Sequence, residues 1–204
     1  VAETSELILE LGMYSLKRAA EDLAQWQAAI GEIPVFMSVN LSSAQLLKSD
    51  LCNDVIKVIS ATQNDPTHFR LELTESLVMH NPQQALMTLS RLADAGIGLT
   101  LDDFGTGHSS LSYLTRFPFN TIKIDKSLVV DQSDKGGILI RSIVNLAKRL
   151  DMQVVAEGVA SETDAMTLSE IGCDFGQSFL FGPPIGSESV QKLLRERFPV
   201  AKPN

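Results

Sequence analysis

The chain has 204 residues, is 44% hydrophobic and carries a formal net charge of −8, so it has material for a sizeable core and does not read as disordered. That acidity argues against a DNA or RNA binder, which needs a basic stripe. An anionic ligand would require a local device, such as bound cations that reverse the sign of a carboxylate cluster. No apolar run approaches the roughly 20 residues of a membrane span, and no signal-peptide pattern opens the chain. Val1 stands first, which reads as a fragment or a processed product. Cys52 and Cys173 lie far apart without metal-ligand spacing, so they read as ordinary thiols of a reducing cytoplasm.

Apolar spacing predicts a helix over 5–29, punctuated by Gly31 and Pro34, then a short strand, VFMSVN, over 35–40. Ser42 caps a helical stretch to about residue 60. FRLELTE (69–75) alternates as a strand, and Asn81-Pro82 opens a helix that Gly96 stops. The cycle then repeats: strand 96–103, short helix 109–117, strand 121–125 and helix 136–150. Strand 153–159, helix 161–172, strand 175–182 and helix 188–198 complete the chain.

Such alternation implies a parallel sheet wrapped by helices, an α/β fold. The six strands suit either an open doubly wound sheet or a (β/α)8 barrel. Polar residues favour the barrel, because they stand at strand end after strand end: Asn40, Glu72 and Glu75, Asp102 and Asp103, Lys123 and Asp125, Glu157, Gln177. In a parallel barrel those ends meet on one face. A doubly wound nucleotide fold would need a Gly-rich first turn, and no GxGxxG is present.

Each of these residues has a plainer alternative. Asp125 reads as a helix N-cap. Asn40 reads equally as a cap or turn residue, and Gln177 as a surface amide. Asp102 and Asp103 resist that treatment, because adjacent carboxylates repel and one cap needs one side chain. Successive strand residues point to opposite faces, so both reach one site only where the strand is ending, and a divalent cation can bridge them there. Glu72 sits inside an apolar run, where a buried carboxylate needs a partner. Lys123, between Ile122 and Ile124, reads as pointing into the barrel mouth towards anions. Oxygen donors of this kind select Mg2+ or Mn2+ over zinc, and His68, His80 and His108 lack zinc spacing. Two hard cations so held suit phosphoester hydrolysis, with a lysine stabilising phosphoryl charge. Asp103-Phe104-Gly105 matches a kinase triplet, but no other kinase motif accompanies it.

SVNLS (38–42), LELTES (71–76), LDDFGTGHSSLSYL (101–114), FNTIKID (119–125), VVAEGV (154–159) and GCDFGQSFLFGPP (172–184) together resemble the successive signature blocks of bacterial EAL domains. The resemblance covers almost the whole chain. It implies a single EAL-type domain over 1–204, a modified TIM-type (β/α)8 barrel that hydrolyses cyclic di-GMP to linear pGpG with Mg2+ or Mn2+ at a two-metal site. It implies Asn40, Glu72, Asp102, Asp103 and Glu157 as metal ligands, with Asp103 on the second metal. Lys123 then holds the attacking water, Glu157 doubles as proton acceptor, and Gln177 contacts the substrate. Glu75 anchors the loop at about 104–110, which links metal binding to dimer contacts. The name-giving Glu-Ala-Leu strand is not in this sequence, so the resemblance implies an N-terminally truncated domain without its first two strands. Ala160 replaces a common second acid, and His108 a common tyrosine. A homodimer and a cytoplasmic site of action are expected, and the sequence leaves open whether a parent protein carries upstream sensor, GGDEF or membrane-anchoring segments. The alternative is a catalytically silent receptor for cyclic di-GMP or a protein partner. A barrel without two strands would also expose edges that invite pairing.

Overall fold

The computed structural model describes residues 7–105, 114–131 and 133–198. Among them six strands form one sheet: β1 Met37–Asn40, β2 Phe69–Thr74, β3 Gly98–Phe104, β4 Thr121–Ile124, β5 Gln153–Glu157 and β6 Phe175–Gln177. Every neighbouring pair is parallel, and the order in space is the order in the chain. A doubly wound sheet reverses its strand order at a switch point. This one never does, so it is an arc of a TIM-type barrel with helices outside, as the sequence leads one to expect.

The outward face of the arc is apolar. Val39, Leu71, Leu73, Leu99, Leu101, Ile122, Ile124, Val154 and Ala156 are all buried beneath the helical layer. Complete burial of one such side chain contributes about 1.5–3 kcal/mol, so this face drives helix docking. Alternation puts the intervening residues on the inner face, and they are mostly polar: Ser38, Arg70, Thr100, Thr121 and Gln153 towards the base, Asn40, Glu72, Asp102, Lys123, Glu157 and Gln177 towards the carboxyl ends.

The helical layer begins with α1 (Leu7–Ile30), which reaches across to the last helix, α9 (Ser187–Arg197). Trp26 Nε1 donates to Ser187 Oγ at 3.2 Å and Gln191 Nε2 to the Gln25 carbonyl at 3.5 Å. At the base of the sheet the rings of Phe36 and Phe175 meet edge to face, 5.4 Å between centroids. The Arg70 guanidinium lies 3.5 Å from the centre of the Phe36 ring and donates to Gln153 Oε1 at 2.6 Å and Thr121 Oγ1 at 3.3 Å.

Several expected boundaries move. The stretch from Ser42 to residue 60 is two helices, α2 (Ser43–Leu46) and α3 (Leu51–Ala61). Leu46 and Leu51 are both buried, and five residues on one helix would set them on different faces; the intervening turn buries both. The strand at 69 stops at Thr74, and Glu75 opens a helix, α4 (Glu75–His80), that the sequence did not announce. Asn81, restricted by Pro82, separates it from α5 (Pro82–Asp94). A short α6 (Lys126–Val130) follows β4, with Asp125 as its N-cap, accepting from Ser127 N at 2.8 Å. Beyond it lie α7 (Asp134–Arg149) and α8 (Glu162–Ile171). The last strand closes at Gln177 rather than 182. Most of the expected helix at 109–117, with His108 and the loop from 106, lies outside the described residues.

Candidate active site

Four consecutive strands deliver one charged residue each to the same point. Lys123 Nζ on β4 lies 2.8 Å from Glu72 Oε2 on β2, 3.1 Å from Asp102 Oδ1 on β3 and 2.8 Å from Glu157 Oε1 on β5. Lys123 is 4% exposed and Glu72 8%. Burial by itself lowers an ammonium pKa, but the hydrogen bonds Lys123 donates to Glu157 and Glu72 and the charges of Glu72 and Asp102 outweigh it, and Lys123 is raised above its ordinary value. The lysine is therefore a fixed cation.

The paired aspartates reach one side of the sheet through a bulge. Leu101 pairs with Ile122 and Phe104 with Ile124, so β3 carries one extra residue. Asp103 absorbs it with φ +56, a left-handed conformation that Asp tolerates better than most residues. Its N–H is 3.0 Å from Asp102 Oδ1, which fixes one carboxylate against the backbone of the next. The bulge sits before the end of the strand, whereas alternation alone requires the strand to be ending. Asp103 titrates above the usual carboxylate range, because burial and the charges of Asp102 and Asp125 outweigh the attraction of Lys123.

Asp102, Asp103 and Glu157 offer oxygens that all lie within 4.8 Å of one another. With Glu72, four carboxylates stand against one ammonium, leaving three uncompensated negative charges. An all-oxygen donor set with excess negative charge fits a hard divalent cation.

The other expected residues occupy the rim. Asn40 ends β1 opposite Glu72, Gln177 ends β6 opposite Glu157, and both are exposed. Glu75 is the first residue of α4, three residues beyond Glu72 where the strand gives way to the helix. Two open cavities flank the cluster. One, about 670 Å3, is lined by Asn40, Ser42, Thr74, Ser76 and His80. The other, about 710 Å3, is lined by Glu157, Gly158, Gln177, Phe179 and Lys126. Lys126, at the rim of this second cavity, carries no sequence signal that sets it apart. The cysteines are free thiols: Cys52 is buried, and burial with the Asp174 charge pushes half-buried Cys173 up to about 11.

Fold and site together define a TIM-type α/β protein with an acidic, lysine-centred site on the carboxyl edge of its sheet. The family profile described as "EAL domain" matches residues 1–184, and the chain belongs to that family. It is 35% identical over 193 residues to the bifunctional diguanylate cyclase/cyclic di-GMP phosphodiesterase MucR of Pseudomonas aeruginosa, covering 93% of this chain and 28% of that protein. It is also 35% identical to the signaling protein YkoW of Bacillus subtilis, over 97% of this chain and 25% of that one. The chain thus spans roughly a quarter to a third of the length of the curated relatives it matches. The MucR phosphodiesterase solved with c-di-GMP superposes with a TM-score of 0.87 at 34% identity, over 93% of this chain and 77% of that one. The EAL domain of Mycobacterium smegmatis DcpA gives 0.85 at 33%, over 92% and 85%. Klebsiella pneumoniae BlrP1, in a manganese and cyclic di-GMP complex, gives 0.75 at 29%, over 84% and 43%. No helix among the described residues is long and apolar enough to cross a membrane.

Proposed function

We propose that the domain represented by this chain is a metal-dependent phosphodiesterase that hydrolyses cyclic di-GMP to linear pGpG. The observation that carries this reading is the convergence of Glu72, Asp102 and Glu157 on Lys123, with Asp103 beside them. The cyclic di-GMP complexes of MucR and BlrP1 support the substrate, and the donor chemistry supports Mg2+ or Mn2+.

In this reading Asn40, Glu72, Asp102, Asp103 and Glu157 would hold two divalent ions. Such ions, when bound, supply Lewis acidity that activates water and neutralises charge on the phosphoryl oxygens. Lys123, held by carboxylates on three neighbouring strands, donates from a fixed position to the water or to a phosphoryl oxygen. Glu157, at the open end of β5, accepts the proton, and the Gln177 amide contacts the ligand from β6. Glu75 anchors the chain beyond the paired aspartates from the start of α4. The chain forms one domain, and exposed Val130, Ile138 and Leu139 on α6 and α7 provide apolar surface for a homodimer.

Chromatographic detection of pGpG from cyclic di-GMP in Mg2+ tests the activity. Asp102→Asn should abolish turnover while leaving the fold intact, and a wild-type rate in that variant would overturn the assignment. The receptor reading draws on Ala160, which lines the larger cavity where an acid is common in the family. Tight calorimetric binding of cyclic di-GMP in Ca2+ with no turnover in Mg2+ would select it.

A further inference from the structure

We propose that Thr100 is a positioning residue for Glu72: its hydroxyl donates to the glutamate when that carboxylate turns from Lys123 to a divalent cation. The inference rests on the phosphodiesterase reading, in which Glu72 is a metal ligand, and deepens it.

A buried polar group with nothing to bond is the first argument. Among the described residues, the buried side-chain atoms that lack a hydrogen bond are Asn64 Oδ1 and Thr100 Oγ1. Asn64 still uses its amide nitrogen, which donates to the Ala20 carbonyl at 2.8 Å and to Thr62 Oγ1 at 2.7 Å. Thr100 is 1% exposed, and its hydroxyl makes no bond at all. A void roomy enough for a water would give Oγ1 accessible surface, and Oγ1 is closed off. The same closure shuts out groups from any other segment. Valine has nearly the same shape, suits a strand equally well and would carry no desolvation penalty. A hydroxyl here therefore destabilises the arrangement seen in this structure, so its use lies in another arrangement of its neighbours.

Placement is the second argument, and it identifies the partner. Thr100 sits on β3, paired with Glu72 on β2 and with Thr121 on β4. The 2.8 Å contact of Glu72 Oε2 with Lys123 Nζ runs from β2 to β4. It therefore crosses β3, whose inner face there carries Thr100 and Asp102. Thr121 Oγ1 is occupied: it accepts from Arg70 Nη1 at 3.3 Å and donates to Asn120 Oδ1 at 3.4 Å. Asp102 Oδ1 is held by the Asp103 N–H and by Lys123. Glu72 remains, on a strand about 4.8 Å away, with a side chain long enough to swing. Bound to Lys123, it leaves Thr100 unpaired. Turned towards a cation, it can ligate through one oxygen and accept from Thr100 with the other. The hydroxyl then fixes the orientation of the carboxylate, as hydrogen-bonded partners of metal ligands do.

Two measurements on the full chain test the proposal: the urea midpoint without metal, and Mn2+ affinity by calorimetry. Thr100→Val should raise the midpoint, because it removes an unpaired hydroxyl. The same variant should bind Mn2+ about tenfold more weakly, the lower end of what partners of a metal ligand contribute. Thr100→Ser keeps the hydroxyl, so it should keep most of the Mn2+ affinity while losing stability with the methyl group. Stability and affinity thus move in opposite directions in the valine variant, which a purely structural role would not produce. A valine midpoint at or below that of the wild type shows the hydroxyl to be paired without metal and overturns the proposal. Unchanged Mn2+ affinity in that variant also overturns it and leaves the phosphodiesterase reading standing. Equal weakening of Mn2+ in both variants overturns it as well, because packing rather than the hydroxyl is then responsible. Wild-type protein that neither binds Mn2+ nor converts cyclic di-GMP would remove the functional reading itself, and the proposal with it.

Discussion

At the base of the sheet, Arg70 lies between aromatic rings and donates to two neutral oxygens, on Gln153 and Thr121. At the carboxyl end of the same inner face, two layers up, Lys123 meets three carboxylates, with a fourth at hand. Both cations are enclosed, yet their surroundings differ in kind. Dipoles and π faces are the arginine's direct partners, with the charges of Glu72 and Asp174 also acting on it, so the base reads as a plug that holds the strands together. Among the described residues the lysine sits in an excess of negative charge. The lower layer spends its polarity on the fold; the upper layer keeps an imbalance that only a cationic or cation-bearing ligand removes.

The largest expected effect comes from removing the centre of the upper layer. Lys123→Met leaves Glu72 buried without its cation, and breaking such a pair costs about 3–5 kcal/mol. Urea denaturation at neutral pH should show that loss together with complete loss of turnover. Mn2+ should also raise the melting temperature of the variant more than that of the wild type. A variant of wild-type stability would erase the contrast between the two layers.

Arg70→Ala should cost about 2–4 kcal/mol through two lost hydrogen bonds and the lost aromatic packing. Mn2+ affinity should change less than about threefold, because the direct ion-pair partner of the carboxylates is Lys123 and Arg70 acts on Glu72 only through its field. Parallel denaturation and metal titration check this, and a larger fall in metal affinity would show that the layers are coupled.

The smallest stability effect tests the bulge. Asp103→Val places a β-branched residue at φ +56 and should cost about 1–2 kcal/mol. Asp103→Asn should fold normally, since Asn shares that tolerance, yet lose Mn2+ affinity by at least the roughly tenfold that even outer partners of a metal site contribute. Equal metal affinity in Asp103→Asn and wild type would remove Asp103 from the ligand set.

Much of this was legible in the sequence because it is periodic. Alternation of apolar residues in FRLELT and TIKI marks which faces bury, and strands alternating with helices imply parallel pairing. Asp125 read as a cap and is one. The misjudged places are those where local pattern competes with context. α4 continues directly from β2 with no separate start signal, and the break at 47–50 depends on which face Leu46 and Leu51 must bury. Lys126 was missed because nothing local distinguishes a lysine at a cavity rim from one in open solvent.

The sequence by itself determined the parallel α/β class, the apolar outer face and the presence of acids at the strand ends, since those follow from side-chain period and chain order. Only the tertiary structure decided that Glu72 and Lys123, 51 residues apart, close to 2.8 Å. It also decided that β3 bulges so that Asp102 and Asp103 serve one side. Strand register and a single positive φ are set by the packing of the whole sheet, and no window of neighbouring residues contains that information.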